Sequence, residues 1–318
     1  MDRWDRVGRV AAYGAALALT PYLLIKVSWV VGSLVGLVPV GTGFGMAEWV
    51  VLNTATIGMA GLGIAVALAL VRPWGMRVPG TPLAFCAWVG TGFLVPVLPY
   101  AVLSSLLGSA DGDPKSGSDA DPSMPAWEAA LIQIGFVGMG LGLAVALPTY
   151  FRRRWPDAFE GRLGDRGEGA SRALPWMTVA GAAVGLIWLY WAMGGTAGVA
   201  HRGERDLAWY VLSGVFALWA FVASAATWAA VRGRPARVPR WVPMVLGWLG
   251  SGSLFAWSGW KLPFTLYLAV AQPADAALPE NLALAAVLHL AAVGAGAAML
   301  RALVRTRLMR RGAVRTPL

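Results

Sequence analysis

The sequence predicts an all-α polytopic membrane bundle of about eight helices, built as two parallel four-helix repeats, that is, four helical hairpins. Three observations predict it. The chain is 58% hydrophobic and 13% charged, with a mean hydropathy of +0.61, whereas a soluble domain carries roughly 25% charged residues. About eight stretches hold the ~20 mainly apolar residues that a bilayer crossing needs. Finally, the segment 77–92, R-V-P-G-T-P-L-A-F-C-A-W-V-G-T-G, returns 160 positions later as R-V-P-R-W-V-P-M-V-L-G-W-L-G-S-G at 237–252. The same shift carries Pro79 to Pro239, Trp88 to Trp248, Gly90 to Gly250 and Gly92 to Gly252.

The spans read, in order, Val10–Leu37, Met46–Val71, Thr81–Leu107, Ala126–Tyr150, Leu174–Val199, Leu207–Val231, Trp241–Val270 and Leu282–Leu303. Arg3, Arg6 and Arg9 followed by Ala16-Leu17-Ala18 imitate a signal peptide. Such a segment has an apolar region of only about 7–15 residues, and this run continues well past Ala18, so it reads as the first span.

Loop charge sets the expected orientation. Arg72 and Arg77 flank the second connection, Arg152, Arg153 and Arg154 open the fourth, and Arg232, Arg234, Arg237 and Arg240 fill the sixth. The C-terminal tail holds Arg301, Arg305, Arg307, Arg310, Arg311 and Arg315. The alternate loops are poor in base: Gly108–Pro125 sets four aspartates against Lys115, and Gln272–Pro279 has Asp275 and no base. Basic loops stay cytoplasmic, so a plasma-membrane protein with both termini inside is expected. The net charge of +10 therefore reads as a topology signal, not as a nucleic-acid surface.

The repeat is nested. Ile57–Gly63 returns as Ile134–Gly140, and Trp29-x-x-Gly32 with Gly36 returns as Trp191-x-x-Gly194 with Gly198. The expected halves are about 1–156 and about 157–318, the second ending in a basic cytoplasmic tail. Small residues four apart let helices approach closely in lipid, which marks Gly61, Gly138 and Gly294 as packing positions.

Candidate chemistry rests on few residues. Lys26 and Lys261 lie inside apolar spans, where an ammonium at the bilayer centre costs about 2.5–3.5 kcal/mol on insertion scales. Lys26 follows Arg9 by 17 positions and Lys261 follows Arg240 by 21, rises of roughly 25 and 31 Å at helical pitch. Both then belong to the outer half. Each lysine either snorkels to the outer headgroups or lines an anion-attracting cavity open to the outside. In the cavity reading Trp29 lies one turn beyond Lys26, Glu48 or Glu128 is its nearest carboxylate, and Trp260-Lys261 contributes from the other half. Glu48, Glu128, Asp206 and Glu280 each open a helix that starts outside, where a carboxylate suits the helix dipole. Trp29, Trp49, Trp127, Trp191, Trp209, Trp257 and Trp260 crowd that side as an interfacial belt or a stacking site. His289 reads as a satisfied structural histidine, and Asn53 and Gln133 as hydrogen-bonding partners between helices.

One cysteine, Cys86, and two distant histidines make no disulfide framework and no three-His or Cys-based metal site. HExxH, GxSxG and GxxxxGK[ST] are absent, so the reading leans away from an enzyme and calls for no cofactor and no metal. The Ala/Gly/Trp-rich spans, the Arg-rich turns and phrases such as Trp191-Ala192-Met193-Gly194-Gly195-Thr196 make the chain resemble a broad group of uncharacterised, Arg-rich multi-pass membrane proteins of high-GC bacteria. The resemblance implies a membrane bundle and transfers no functional residue.

Two function classes fit. One is a small-molecule permease or binding protein with an outward-facing cavity between the halves, taking a small anionic or amphipathic ligand. The other is a non-transporting membrane scaffold or regulatory component with a membrane-protein partner.

Overall fold

A computed structural model of the chain describes residues 3–41, 45–111, 125–155, 160–165, 175–271 and 278–314. All eight expected spans are helical: α1 (Arg3–Leu34), α2 (Met46–Ala69), α4 (Gly80–Asp111), α5 (Ala126–Arg154), α6 (Trp176–Ala192), α7 (Leu207–Arg232), α8 (Trp241–Ala271) and α9 (Leu282–Val314). A short helix, α3 (Pro73–Arg77), lies between α2 and α4, with Pro73 at its first turn, where a missing N–H costs nothing. No strand occurs among the described residues, only two isolated bridges. Six helices are long and apolar enough to cross a membrane: α1, α2, α4, α5, α7 and α9. Side chains such as Leu17, Val51, Ile134 and Leu290 stand 56–74% exposed around them. A water-soluble monomer rarely presents so much continuous apolar surface; lipid is the solvent that suits it.

The remaining two helices are less apolar or shorter. α6 has 17 residues, and α8, with 31 residues, turns Ser251, Ser253, Ser258 and Thr265 inward. The expected fifth span, Leu174–Val199, is shortened because Gly194 and Gly198 adopt left-handed φ values of 91° and 78°, which end a helix at little cost only in glycine. Gly36, which the sequence reading pairs with Gly198, is also left-handed, at 75°.

The chain divides into two compact units. The first comprises Met1–Gly90 and Gly117–Arg154; the second comprises Thr91–Ser116 and Trp155–Leu318. In the first, α1 packs mainly on α5 and then on α2. The α1–α5 seam is made of small residues. A Cβ on Gly138 would lie 2.6 Å from Ala18 Cβ, and one on Gly142 would lie 2.6 Å from Ala15 Cβ and 2.7 Å from the Ala11 carbonyl oxygen. Gly61 and Gly294 differ from this packing expectation. A Cβ at either meets no atom within 4 Å among the described residues, and the close approach in α9 is at Gly296, against the Ser251 carbonyl.

Two basic residues of α5 are also structural. Arg154 donates to the carbonyls of Met76 and Val78, at 3.2 and 3.0 Å, and to the Tyr150 hydroxyl at 3.1 Å. Arg153 donates to the Leu70 carbonyl at 2.9 Å. Both satisfy carbonyls at helix ends that have no partner within their own helix.

In the second unit α6, α7, α8 and α9 pack in ring order, each on the next and α9 back on α6. Their core combines Trp188, Trp191, Phe216, Leu254, Leu288 and Met299 with a floor of alanines. In the same unit Gly92 of α4 meets Gly252 of α8 backbone to backbone, where a Cβ on Gly92 would strike the Gly252 carbonyl. At the Arg-rich end, Leu163 and Gly164 donate their N–H groups to Val238 and Ala236, and Arg240 reaches the Thr306 carbonyl at 3.0 Å. At the opposite end, residues 198–201 pair with 279–281 through three backbone hydrogen bonds. The aspartate-rich loop 112–124 lies outside the described residues.

Candidate functional site

The two lysines sit in different units and in different chemistry. In the first unit, the Lys26 ammonium donates to Asn53 Oδ1 at 3.0 Å, and Asn53 in turn donates to the Trp49 carbonyl at 2.9 Å. Asn53 is only 1% exposed. The ammonium also lies 4.0 Å from the centre of the Trp29 ring and 5.8 Å from that of Tyr22. Trp29 follows Lys26 by three residues, so one helix face carries both. Trp29 stacks on Trp49 with ring centres 5.7 Å apart. Glu128 acts on the ammonium electrostatically. Glu48 is exposed and accepts the Gly45 N–H at 3.1 Å, closing the start of α2. Hydrogen bond, cation–π contact and carboxylate field together satisfy Lys26 within the first unit.

Lys261 is different. It lines a cavity of about 40 Å³ inside the four-helix ring of the second unit. Helical spacing builds that cavity. Trp257, Ser258 and Lys261 share one face of α8, Trp188 and Trp191 one face of α6, and Trp209, Leu212, Ser213 and Phe216 one face of α7. From α9 come Ala285, Leu288 and His289, and from the turn before it comes Glu280. The Lys261 ammonium lies 5.5 Å from the centre of the Phe216 ring. Among the described residues no carboxylate pairs with it and no acceptor takes its N–H groups.

Several other polar groups of the cavity are tied down. Trp209 Nε1 donates to Glu280 Oε1 at 2.9 Å, Trp257 Nε1 donates to the Phe93 carbonyl at 3.0 Å, and Trp191 Nε1 donates to the Ala197 carbonyl at 2.9 Å. His289 Nδ1 lies 3.3 Å from Ser258 Oγ. Phe216 meets Trp188 and Trp257, each at 5.5 Å between ring centres. Aromatic rings therefore form much of the wall around the Lys261 ammonium.

Trp260 does not line this cavity. It is 38% exposed, and Trp257, one turn back on the Lys261 face, occupies the position expected of it. Trp127 is 59% exposed, whereas Trp191 is buried and Trp209 and Trp257 are half-buried. Of the four carboxylates read as helix starters, Glu48 and Asp206 cap their helices directly. Glu280 instead holds Trp209, and Asn281 caps α9 by accepting from the N–H groups of Ala283 and Leu284. Ser258, Ser213, Glu280 and His289 are site residues that reading the chain alone did not bring together. The i, i+3 pairing of Ser258 with Lys261 was the available signal. No group of three or more His, Cys, Asp or Glu that could hold a metal occurs among the described residues. Comparison of the chain with protein-family models, with curated proteins and with solved structures finds no match.

Proposed function

We propose that this chain is a small-molecule permease or binding protein of a bacterial inner membrane, with Lys261 at its ligand site. In this reading it spans the bilayer eight times as two parallel four-helix repeats, residues 1–156 and 157–318, with both termini in the cytoplasm. The end of the second unit that holds Lys261 and Glu280 then opens outward, and the Arg-rich turns face the cytoplasm. The observation that carries the reading is the Lys261 ammonium, unmet by any described acceptor inside an aromatic-walled cavity. An intramembrane charge is expensive, and such residues mark ligand or ion paths. The packing of Gly92 on Gly252, one repeat shift apart, supports the two-repeat architecture, because equivalent positions meet on the axis of a two-fold repeat.

The test is ligand-dependent stability. A solute that binds the folded state raises its melting temperature. Among small anionic and amphipathic solutes compared at fixed ionic strength, at least one is expected to raise the melting temperature of the detergent-solubilised protein and to lose that effect in Lys261→Met. No response to any solute contradicts the reading. It would favour the second one, a non-transporting scaffold for a membrane-protein partner, which the small cavity and the self-satisfied Lys26 network support.

A further inference from the structure

The occupant of the Lys261 cavity can be narrowed by size, charge and the chemistry of the walls. An ammonium offers three N–H donors and no acceptor, so its partner must present lone pairs. Size excludes most organic ligands: about 40 Å³ holds a few waters or an ion of similar bulk, far below the hundreds of Å³ of a drug-sized site. Charge excludes a cation. Aromatic faces attract cations, but Lys261 already occupies the Phe216 face and would repel a second positive charge. The aromatic walls also lower the local dielectric, which strengthens a contact between opposite charges.

Resting on the ligand-site reading above, we propose that the cavity binds a small inorganic monoanion, of chloride or nitrate size, on the Lys261 ammonium.

The test uses the full chain in detergent, melted in sodium chloride, sodium nitrate or sodium gluconate at one ionic strength and one pH. Chloride or nitrate is expected to raise the melting temperature by several degrees over gluconate, which is too large for the cavity. Lys261→Met is expected to lose the difference between salts. If Lys261→Met does not fold, Lys261→Arg decides. A planar fork replaces a point charge there, so the ranking of chloride against nitrate must change. An unchanged ranking overturns the proposal, as does a salt difference of equal size in wild type and Lys261→Met. A wild type indifferent to chloride and nitrate but stabilised by a larger solute, in a Lys261-dependent way, overturns the monoanion and leaves the ligand-site reading standing. Indifference to every solute overturns both.

Discussion

Gly142→Leu is expected to lower the melting temperature of the detergent-solubilised protein by several degrees, whereas Gly61→Leu is expected to leave it nearly unchanged. Both glycines belong to ridges of small residues that look alike in the sequence. At Gly142 a Cβ alone would lie 2.7 Å from the Ala11 carbonyl oxygen and 2.6 Å from Ala15 Cβ. Backbone cannot swing aside as a side-chain tip does, so α1 and α5 must separate to admit a leucine. Overpacking typically costs about 1–3 kcal/mol, and here it is added to the lost close approach that holds helices together in lipid. At Gly61 a Cβ meets nothing within 4 Å among the described residues. Gly138→Leu should resemble Gly142→Leu, since Ala18 Cβ lies 2.6 Å from its Cβ position. Equal melting of the Gly61 and Gly142 variants in a thermal unfolding assay would contradict the α1–α5 seam.

Lys26→Met is expected to destabilise the protein by about 1–3 kcal/mol, the cost of leaving a buried polar partner unsatisfied, without loss of ligand response. The partner is Asn53, which is 1% exposed and accepts the Lys26 proton at 3.0 Å. The cation–π contact with Trp29, at 4.0 Å, is lost as well. Lys26→Met combined with Asn53→Leu should recover part of the stability, because removing both partners avoids the orphaned amide. The measurement is a double-mutant cycle of melting temperatures. A Lys26→Met variant that is as stable as wild type would show that the ammonium is snorkelling and that the Asn53 contact carries no weight.

The positions of the helices were legible in the sequence because length and apolarity alone decide them. All eight expected spans are helical in the structure, several within a few residues of where the apolar run begins. The exceptions have local causes. α6 ends early because left-handed Gly194 and Gly198 let residues 193–206 fold back, where Tyr190 and Trp191 hold that segment by hydrogen bonds. α3 was hidden within the Arg72–Arg77 turn, since a five-residue helix leaves no hydrophobic period.

The site was legible only in part. A lysine inside an apolar span announces itself by its cost. Whether the fold already satisfies it depends on a neighbouring helix, and Asn53 supplies that for Lys26 from α2. Adjacency in sequence suggested Trp260 as the companion of Lys261, but the helical period places Trp257 and Ser258 on the Lys261 face. Glu280 and His289 join the site from a turn and from α9, a convergence that requires the order of helices around the ring. The arginines carry two roles, and composition reveals only one. Arg153, Arg154 and Arg240 read as topology signals, while their hydrogen bonds to Leu70, Val78 and Thr306 depend on where the chain returns.

The most direct test of the account is the side of the membrane on which each end of the second unit lies. With Cys86 replaced by serine, single cysteines at Gly203, beside the turn that pairs with Glu280, and at Ala236, in the Arg-rich turn, should be challenged in intact cells with a membrane-impermeant thiol reagent. Gly203 stands in open space and Ala236 is exposed, so neither should be shielded by the fold. The account predicts that Gly203→Cys is labelled in intact cells, while Ala236→Cys is labelled only after the membrane is permeabilised. Labelling of Ala236→Cys and not of Gly203→Cys in intact cells would invert the orientation and close the Lys261 cavity to the outside; labelling of both would contradict a bilayer crossing by α7, the one helix between them.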